Sequence, residues 1–333
     1  MSSPVQPQAT VPPGAVAGLL PDPPDPRDLD MLQAPGLAPV AGARDTPVVA
    51  SALRRGAARP VHVEPVVKAV SLREHCGKVR DQGELNSCTA HAAVAPMELA
   101  ELNLNNRTVV GSPMFTYKAT RNFLLWKGDS GAFLRTAPGS LALFGVLPED
   151  YWPYDKQLLD DEPSPFCYQL AQRFRATSYF RVDSANLTPQ AVVDRLRGLL
   201  RHGVPAILGY TVYFGAEFQA RDDGGIPLPL SSDLKYGGHA LMVCGYDDEH
   251  TVVNTSTSGA TSHDAFLIQN SRGSEWGEGG FGWLPYDYFL QGMVSDVWSV
   301  VKTGWINLKA FGEVTASQLQ VKPATAASAH GTH

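Results

Sequence analysis

The sequence predicts an α+β fold made of two unlike halves. Two observations lead to this. The first half carries helix-favouring stretches, among them SCTAHAAVAPMELAELNL. The second half is dominated by short apolar runs, HALMVCGYDD, AFLIQN and GGFGWLPYDYF, separated by Gly, Asp, Ser and Thr. Two layers or subdomains of such different character can form a cleft between them.

Residues 1–65 are rich in Pro, Ala, Val, Gly and Asp and show no long helical period, so they read as an irregular N-terminal segment. Within them, LLPDPPDPRDLDML mixes apolar anchors with Asp and Arg. One reading packs this stretch against the domain, and the other leaves it a solvated linker. Residues 66–308 form the expected compact domain, and the small, polar residues 309–333 a flexible tail.

A helix is expected from Ser87, whose hydroxyl could cap its start, with Pro96 kinking it or removing one hydrogen bond. A second helix is set by Thr188 as cap and Pro189 in the first turn. Val192, Val193, Leu196, Leu199 and Leu200 give it one apolar face, and Gly203 ends it. VPAILGYTVY then reads as a buried strand.

Composition narrows the function. A net charge of −6 and the lack of a long basic run argue against a nucleic-acid partner. No stretch has the apolar length of a membrane span, so no membrane partner is expected. No secretory signal is recognised at the start, which suits a cytoplasmic protein or export by a non-standard route. Cys76, Cys88, Cys167 and Cys244 fit no zinc-binding spacing and are expected as free thiols; no H-E-x-x-H occurs. Gly277, Gly279 and Gly282 match G-x-G-x-x-G but lack the strand–turn–helix context of a nucleotide site. No cofactor or metal is expected.

Four residues could carry chemistry. Cys88 lies at a predicted helix start, where backbone N–H groups favour a thiolate. Viewed alone, it also fits a buried inert cysteine, which is common. His239 follows two glycines and precedes an apolar strand, a place that holds an imidazole rigidly, whether structural or catalytic. Asn270 ends AFLIQN and could orient an imidazole or simply make a turn. Gln82, six residues before Cys88, could donate to an oxyanion or face solvent.

VRDQGELNSCTAHAA, GGHALMVCGYDD and FLIQNSRGSEWGEGGFGWLPYDYF together resemble the papain-like cysteine peptidases, in residue order and in the spacing of Gln82 and Cys88. The resemblance implies a helical left subdomain and a barrel-like right one, with Cys88 and His239 on opposite walls of the cleft. It implies that Cys88 is the nucleophile, His239 the base and acid, Asn270 the orienter of His239, and Gln82 an oxyanion donor. A peptide or protein is then the substrate. It also implies that residues 1–65 could be a propeptide crossing the cleft, anchored by PDPPDPRDLD.

The chain departs from the family pattern in several places. Thr89 stands for the usual Trp, His91 for Phe, and Leu85 for a disulfide cysteine. Arg272 stands for the Trp that covers the Asn–His bond, which is expected to leave that bond wetter. Between His239 and Asn270, DDEHTVVNTSTSGATSHD is expected as an inserted hairpin or loop. The departures keep two alternatives open: a non-catalytic binding protein of this fold, and a narrow isopeptidase or transferase using the same groups.

Overall fold

The computed structural model describes residues 18–22, 25, 28, 67–176, 178–256 and 261–301. The expected tail, residues 309–333, and most of residues 1–65 lie outside these. The described part is α+β, as the sequence predicts.

The first half is helical. Helix α1 (Cys88–Asn105) is followed by α2 (Pro113–Phe123), α3 (Thr136–Leu143) and α4 (Pro165–Ala171). Ser112 caps α2 by accepting from the Phe115 N–H at 3.0 Å, with Pro113 in the first turn. Helix α1 runs unbroken through Pro96. It is the central helix: Ala93, Val94, Leu99 and Ala100 are fully buried. Its small side chains let neighbouring elements approach closely.

Ser87 sits at the N-terminus of α1 but does not cap it. Its hydroxyl is drawn away by the phenol of Tyr154, 2.6 Å distant.

The second half is one antiparallel sheet. Strands β4 (Ser178–Arg181), β5 (Ala206–Tyr213), β6 (Lys235–Val253), β7 (Thr261–Gln269), β8 (Phe281–Pro285) and β9 (Val294–Val301) stand in the order β4-β9-β5-β6-β7-β8. Strand β2 (Ala69–Ser71) adds to β6. Among the described residues nothing pairs β4 with β8, so the sheet is open and not a closed barrel. The expected insertion is the extended β6–β7 hairpin, paired out to Val253 and Thr261.

Helix α5 (Pro189–Arg201) follows its prediction closely. Thr188 Oγ1 accepts from Ala191 N at 3.3 Å, and all five apolar residues are buried. Two short helices, α6 (Phe214–Asp223) and α7 (Asp287–Leu290), complete this half.

Two short strands join the N-terminal segment to the helical half. Strand β1 (Leu19–Leu20) pairs parallel with β3 (Ala132–Phe133). Leu19 is buried in the same core as Cys88. The part of LLPDPPDPRDLDML that is described therefore packs against the domain. Asp22, Asp25 and Asp28 meet Arg135 and Arg181: Arg135 Nε lies 3.0 Å from Asp28, and its backbone N–H donates to Asp22 at 3.0 Å. Arg181 also pairs with Asp183 and Asp296.

No helix of the described residues is long and apolar enough to cross a membrane.

Candidate active site

Cys88 is the first residue of α1, and His239 lies on β6 opposite Tyr210 of β5. Both are fully buried. Asn270 follows the last residue of β7, so the β6–β7 ladder sets its distance from His239. His239 Nε2 and Asn270 Oδ1 are 2.8 Å apart. A carbonyl oxygen only accepts, so the neutral imidazole carries its proton on Nε2 and a lone pair on Nδ1. Nδ1 is buried and shares no hydrogen bond within the described residues. The imidazole is thus fixed by one nitrogen, leaving the other as an available base.

Asn270 is fixed in turn. Its Oδ1 also accepts from the Ser271 N–H at 2.8 Å. The Ser271 hydroxyl donates to Gln82 Oε1 at 2.6 Å, and Gln82 N donates to Ser271 O at 2.9 Å. Gln82 Nε2 donates one proton to Leu85 O at 2.8 Å, and an NH₂ group has a second to offer. The three residues Gln82, Asn270 and His239 therefore form one hydrogen-bonded chain through Ser271. Gln82 is buried, not solvent-facing.

The departures now have physical content. Arg272 Nε pairs with Glu217 Oε1 at 2.8 Å, and Glu217 Oε2 accepts from Tyr210 at 3.2 Å. The Tyr210 ring meets the His239 ring edge-on at 6.0 Å. The Asn270–His239 bond is not wetter: both residues are buried. His91 Nδ1 lies 3.0 Å from Ser87 O, and its ring meets Tyr154 edge-on at 4.8 Å. Tyr154 donates to Gln82 O at 2.8 Å. His91 thus fills an aromatic position in the support under Cys88. Sequence reasoning did not single out Tyr154, Tyr210, Glu217 or Ser271 as site residues, since each acts through a long-range contact.

Electrostatics leave the pair uncharged in this state. Burial pushes the Cys88 thiol up to about 11, against the lowering effect of backbone N–H groups, those of Ala240 and Gly18 among them. Burial, aided by the Arg272 cation, pushes His239 down to about 3. A thiol at a helix start is expected to be acidic; here desolvation outweighs the helix. The burial has an identifiable source. Leu19 packs over Gly209 and Gly238, and the backbone at Gly18 lies against Asn86 and approaches Cys88.

All four cysteines are free, Cys76 being half-buried and the others buried. Among the described residues no cluster of three metal-ligating side chains occurs.

The matching profile is that of the papain family cysteine proteases, and it covers residues 66–295. The chain belongs to the papain family. An uncharacterized peptidase C1-like protein of Acanthamoeba polyphaga mimivirus is 30% identical over 242 residues, covering 70% of this chain and 72% of that one. Among solved structures, xylellain, a cysteine protease from Xylella fastidiosa, superimposes with a TM-score of 0.65 at 27% identity, covering 87% of this chain and 97% of its own. Digestive procathepsin L 3 of Tenebrio molitor larval midgut shares the fold, with a TM-score of 0.52 at 16% identity over 72% of each chain. The papain-family assignment supports a cysteine peptidase in general terms, and the open sheet with its helical partner is the papain-like fold.

Proposed function

We propose that the protein is a cysteine endopeptidase that hydrolyses peptide bonds through a thioester on Cys88. The observation that carries this reading is the 2.8 Å His239–Asn270 bond, which leaves Nδ1 of a fixed imidazole unshared beside Ala240, whose backbone N–H reaches the Cys88 sulfur. In the first step the Cys88 thiol yields its proton to His239 Nδ1 and the sulfur attacks the substrate carbonyl carbon. The carbonyl oxygen becomes an oxyanion, which the second Gln82 N–H and the Cys88 backbone N–H stabilise. His239 gives its proton to the leaving amine as the C–N bond breaks, and a thioester remains. His239 then takes a proton from water, whose oxygen attacks the thioester. The acid product leaves and the thiol is restored.

In the state described here the N-terminal segment covers this machinery. Leu19 fills the floor over Gly209 and Gly238, and the Asp22, Asp25 and Asp28 carboxylates fasten the segment to Arg135 and Arg181. We read residues 1–65 as a propeptide-like extension that holds the peptidase latent, with the domain at residues 66–308. The deeply shifted, uncharged Cys88–His239 pair fits a covered site whose ion pair forms on uncovering.

The test is cleavage of a diverse fluorogenic peptide library under reducing conditions. The full chain and a form lacking residues 1–60 run side by side, each with a Cys88→Ala control. Cleavage that vanishes with Cys88→Ala, and that rises on truncation, is expected. Silence from both intact-cysteine forms, with folding verified by circular dichroism, would favour a binding protein of the same fold.

A further inference from the structure

Beside the proposed catalytic residues, on the side of Asn270 and Arg272, lies an open cavity of about 520 Å³. Its wall is contributed by α6, through Phe214, Glu217, Phe218 and Arg221, and by Tyr236, Arg272, Glu275 and Trp276. The volume falls in the range of small-molecule and side-chain pockets.

Four aromatic rings border this space. Phe214, Phe218 and Arg221 follow one another at i, i+4 and i+7 on one face of α6. Phe214 and Phe218 are 62% and 64% exposed, although they line a concavity. Phe214 meets Tyr236 edge-on at 6.2 Å. Trp276 is buried at the wall, and its indole N–H has no hydrogen-bond partner among the described residues. Two large aromatic side chains left in water beside a cleft lose hydrophobic stabilisation that an occupant would restore.

The charges do not select an ion. Glu217 is already engaged by Arg272 and Tyr210. Arg221 and Glu275 are exposed and opposite in sign. The interior is therefore apolar and aromatic, with a balanced polar border.

Position then says which part of a substrate would enter. His239 hands its proton to the leaving amine, so the leaving portion of the peptide lies on the His239–Asn270 side. Arg272 is two residues beyond Asn270 and forms part of the cavity wall. Leu19 packs on Gly209 and Gly238, which do not line the cavity, and none of the described residues 18–22, 25 and 28 does.

We propose that this cavity is a specificity site for an aromatic side chain on the leaving-group side of the cleaved bond, with Phe214 and Phe218 as its selecting residues. The proposal rests on the cysteine peptidase reading for its role in cleavage, but its binding can be measured without chemistry.

The full chain carrying Cys88→Ala is titrated calorimetrically with three dipeptide amides, Phe-Ala, Ala-Ala and Lys-Ala, each bearing the free amine of a leaving group. Phe-Ala should bind about tenfold more tightly than Ala-Ala, as partial burial of one phenyl ring implies. Phe218→Ala should erase the difference, and Phe218→Leu should restore most of it. Both positions are exposed, so folding is expected to survive, and the thermal midpoint verifies it. Equal binding of Phe-Ala and Ala-Ala would overturn the proposal. So would tightest binding of Lys-Ala, or a preference for Phe-Ala that persists when Phe214 and Phe218 are both Ala. Cleavage is scored separately, with the cysteine-bearing form that lacks residues 1–60. Selective binding without cleavage leaves the pocket standing and removes the peptidase reading, and cleavage without selective binding does the reverse.

Discussion

Leu19 lies so close to Gly209 that a Cβ built on the glycine would sit 2.2 Å from the leucine Cδ2. The same leucine limits Gly238, where a Cβ would lie 3.2 Å away. Two bare backbone positions thus receive the leucine that packs the described part of the N-terminal segment beside Cys88.

Replacing that side chain should open the cleft. Leu19→Asp places a carboxylate in an apolar seat and should raise the rate of Cys88 alkylation by iodoacetamide at least tenfold, corresponding to a loss of about 1.4 kcal/mol or more. Peptide mass mapping of the labelled cysteine distinguishes Cys88 from half-buried Cys76. An unchanged rate would mean that the segment does not control access.

The fastening of the segment should depend on pH. Burial, and then the neighbouring Asp296 carboxylate, raise Asp22 to about 7. Burial likewise raises Asp28, and raises Asp183 to about 6. A carboxyl whose docked pKa is raised favours the docked state when protonated. That contribution is full below about pH 4 and is lost as pH rises through about 7. Arg135 and Arg181 pull the other way by favouring ionised partners, but the net direction remains upward. A peptide of residues 14–30 added to the truncated domain should bind more weakly at pH 8 than at pH 5. Asp22→Asn should flatten the dependence.

Within the site, Gln82→Ala should lower kcat about 10²–10³-fold with little change in KM, the usual loss for one oxyanion donor. The hydroxyl of Ser271 holds Gln82 by its Oε1. Ser271→Ala should therefore give a smaller loss in the same parameter, through misplacement of the amide. A Gln82→Ala enzyme with unchanged kcat would remove Gln82 from the mechanism.

Arg272 should influence both ends of the site. Its cation is the second cause, after burial, of the lowered His239 pKa. Arg272→Met should raise that pKa, shifting upward the alkaline limb of the pH–rate profile in the uncovered enzyme, where the imidazolium of the ion pair loses its proton. It would also strip Glu217 of its ion partner and cost about 1–3 kcal/mol in thermal or denaturant unfolding. Arg272→Met with Glu217→Gln should recover part of that stability while keeping the pKa change.

Arg80 and Glu98 form a buried pair, with Nη1–Oε2 at 3.1 Å and Nη2–Oε1 at 2.5 Å. Arg80→Ala leaves an uncompensated acid in the core and should destabilise the domain by about 3–5 kcal/mol in urea unfolding. A loss under 1 kcal/mol would show that the pair is dispensable.

Much of this was legible in the sequence where local rules operate. Thr188, Pro189 and the five apolar residues after them define α5 because capping and periodicity are local properties. The order of Gln82, Cys88, His239 and Asn270 points to the family because the reaction needs those groups. What remained illegible depends on distant partners. Ser87 has the right chemistry for a cap, yet Tyr154, 67 residues away, takes its hydroxyl. Arg272 looked like a poor cover for the Asn270 bond because its partner Glu217 lies 55 positions earlier on a helix of weak pattern. The Asp-rich N-terminal stretch suggested an anchor, but nothing in it named Arg135, Arg181 or Asp296 as the counterpart.

The Arg80–Glu98 pair also bears on how the protein recovers from unfolding. Arg80 Nη2 donates to Gly111 O at 2.9 Å, and Glu98 Oε1 accepts from Gly111 N at 2.7 Å. One ion pair therefore ties the loop before Cys88, the middle of α1 and the approach to α2 into a single seam. With all four cysteines free, no covalent link secures these parts. A seam of this kind can close again without an oxidant and cannot be trapped by mispaired bridges. Refolding from denaturant in the presence of a thiol reductant should accordingly need no redox shuffle, and repeated cycles should return the same packed core.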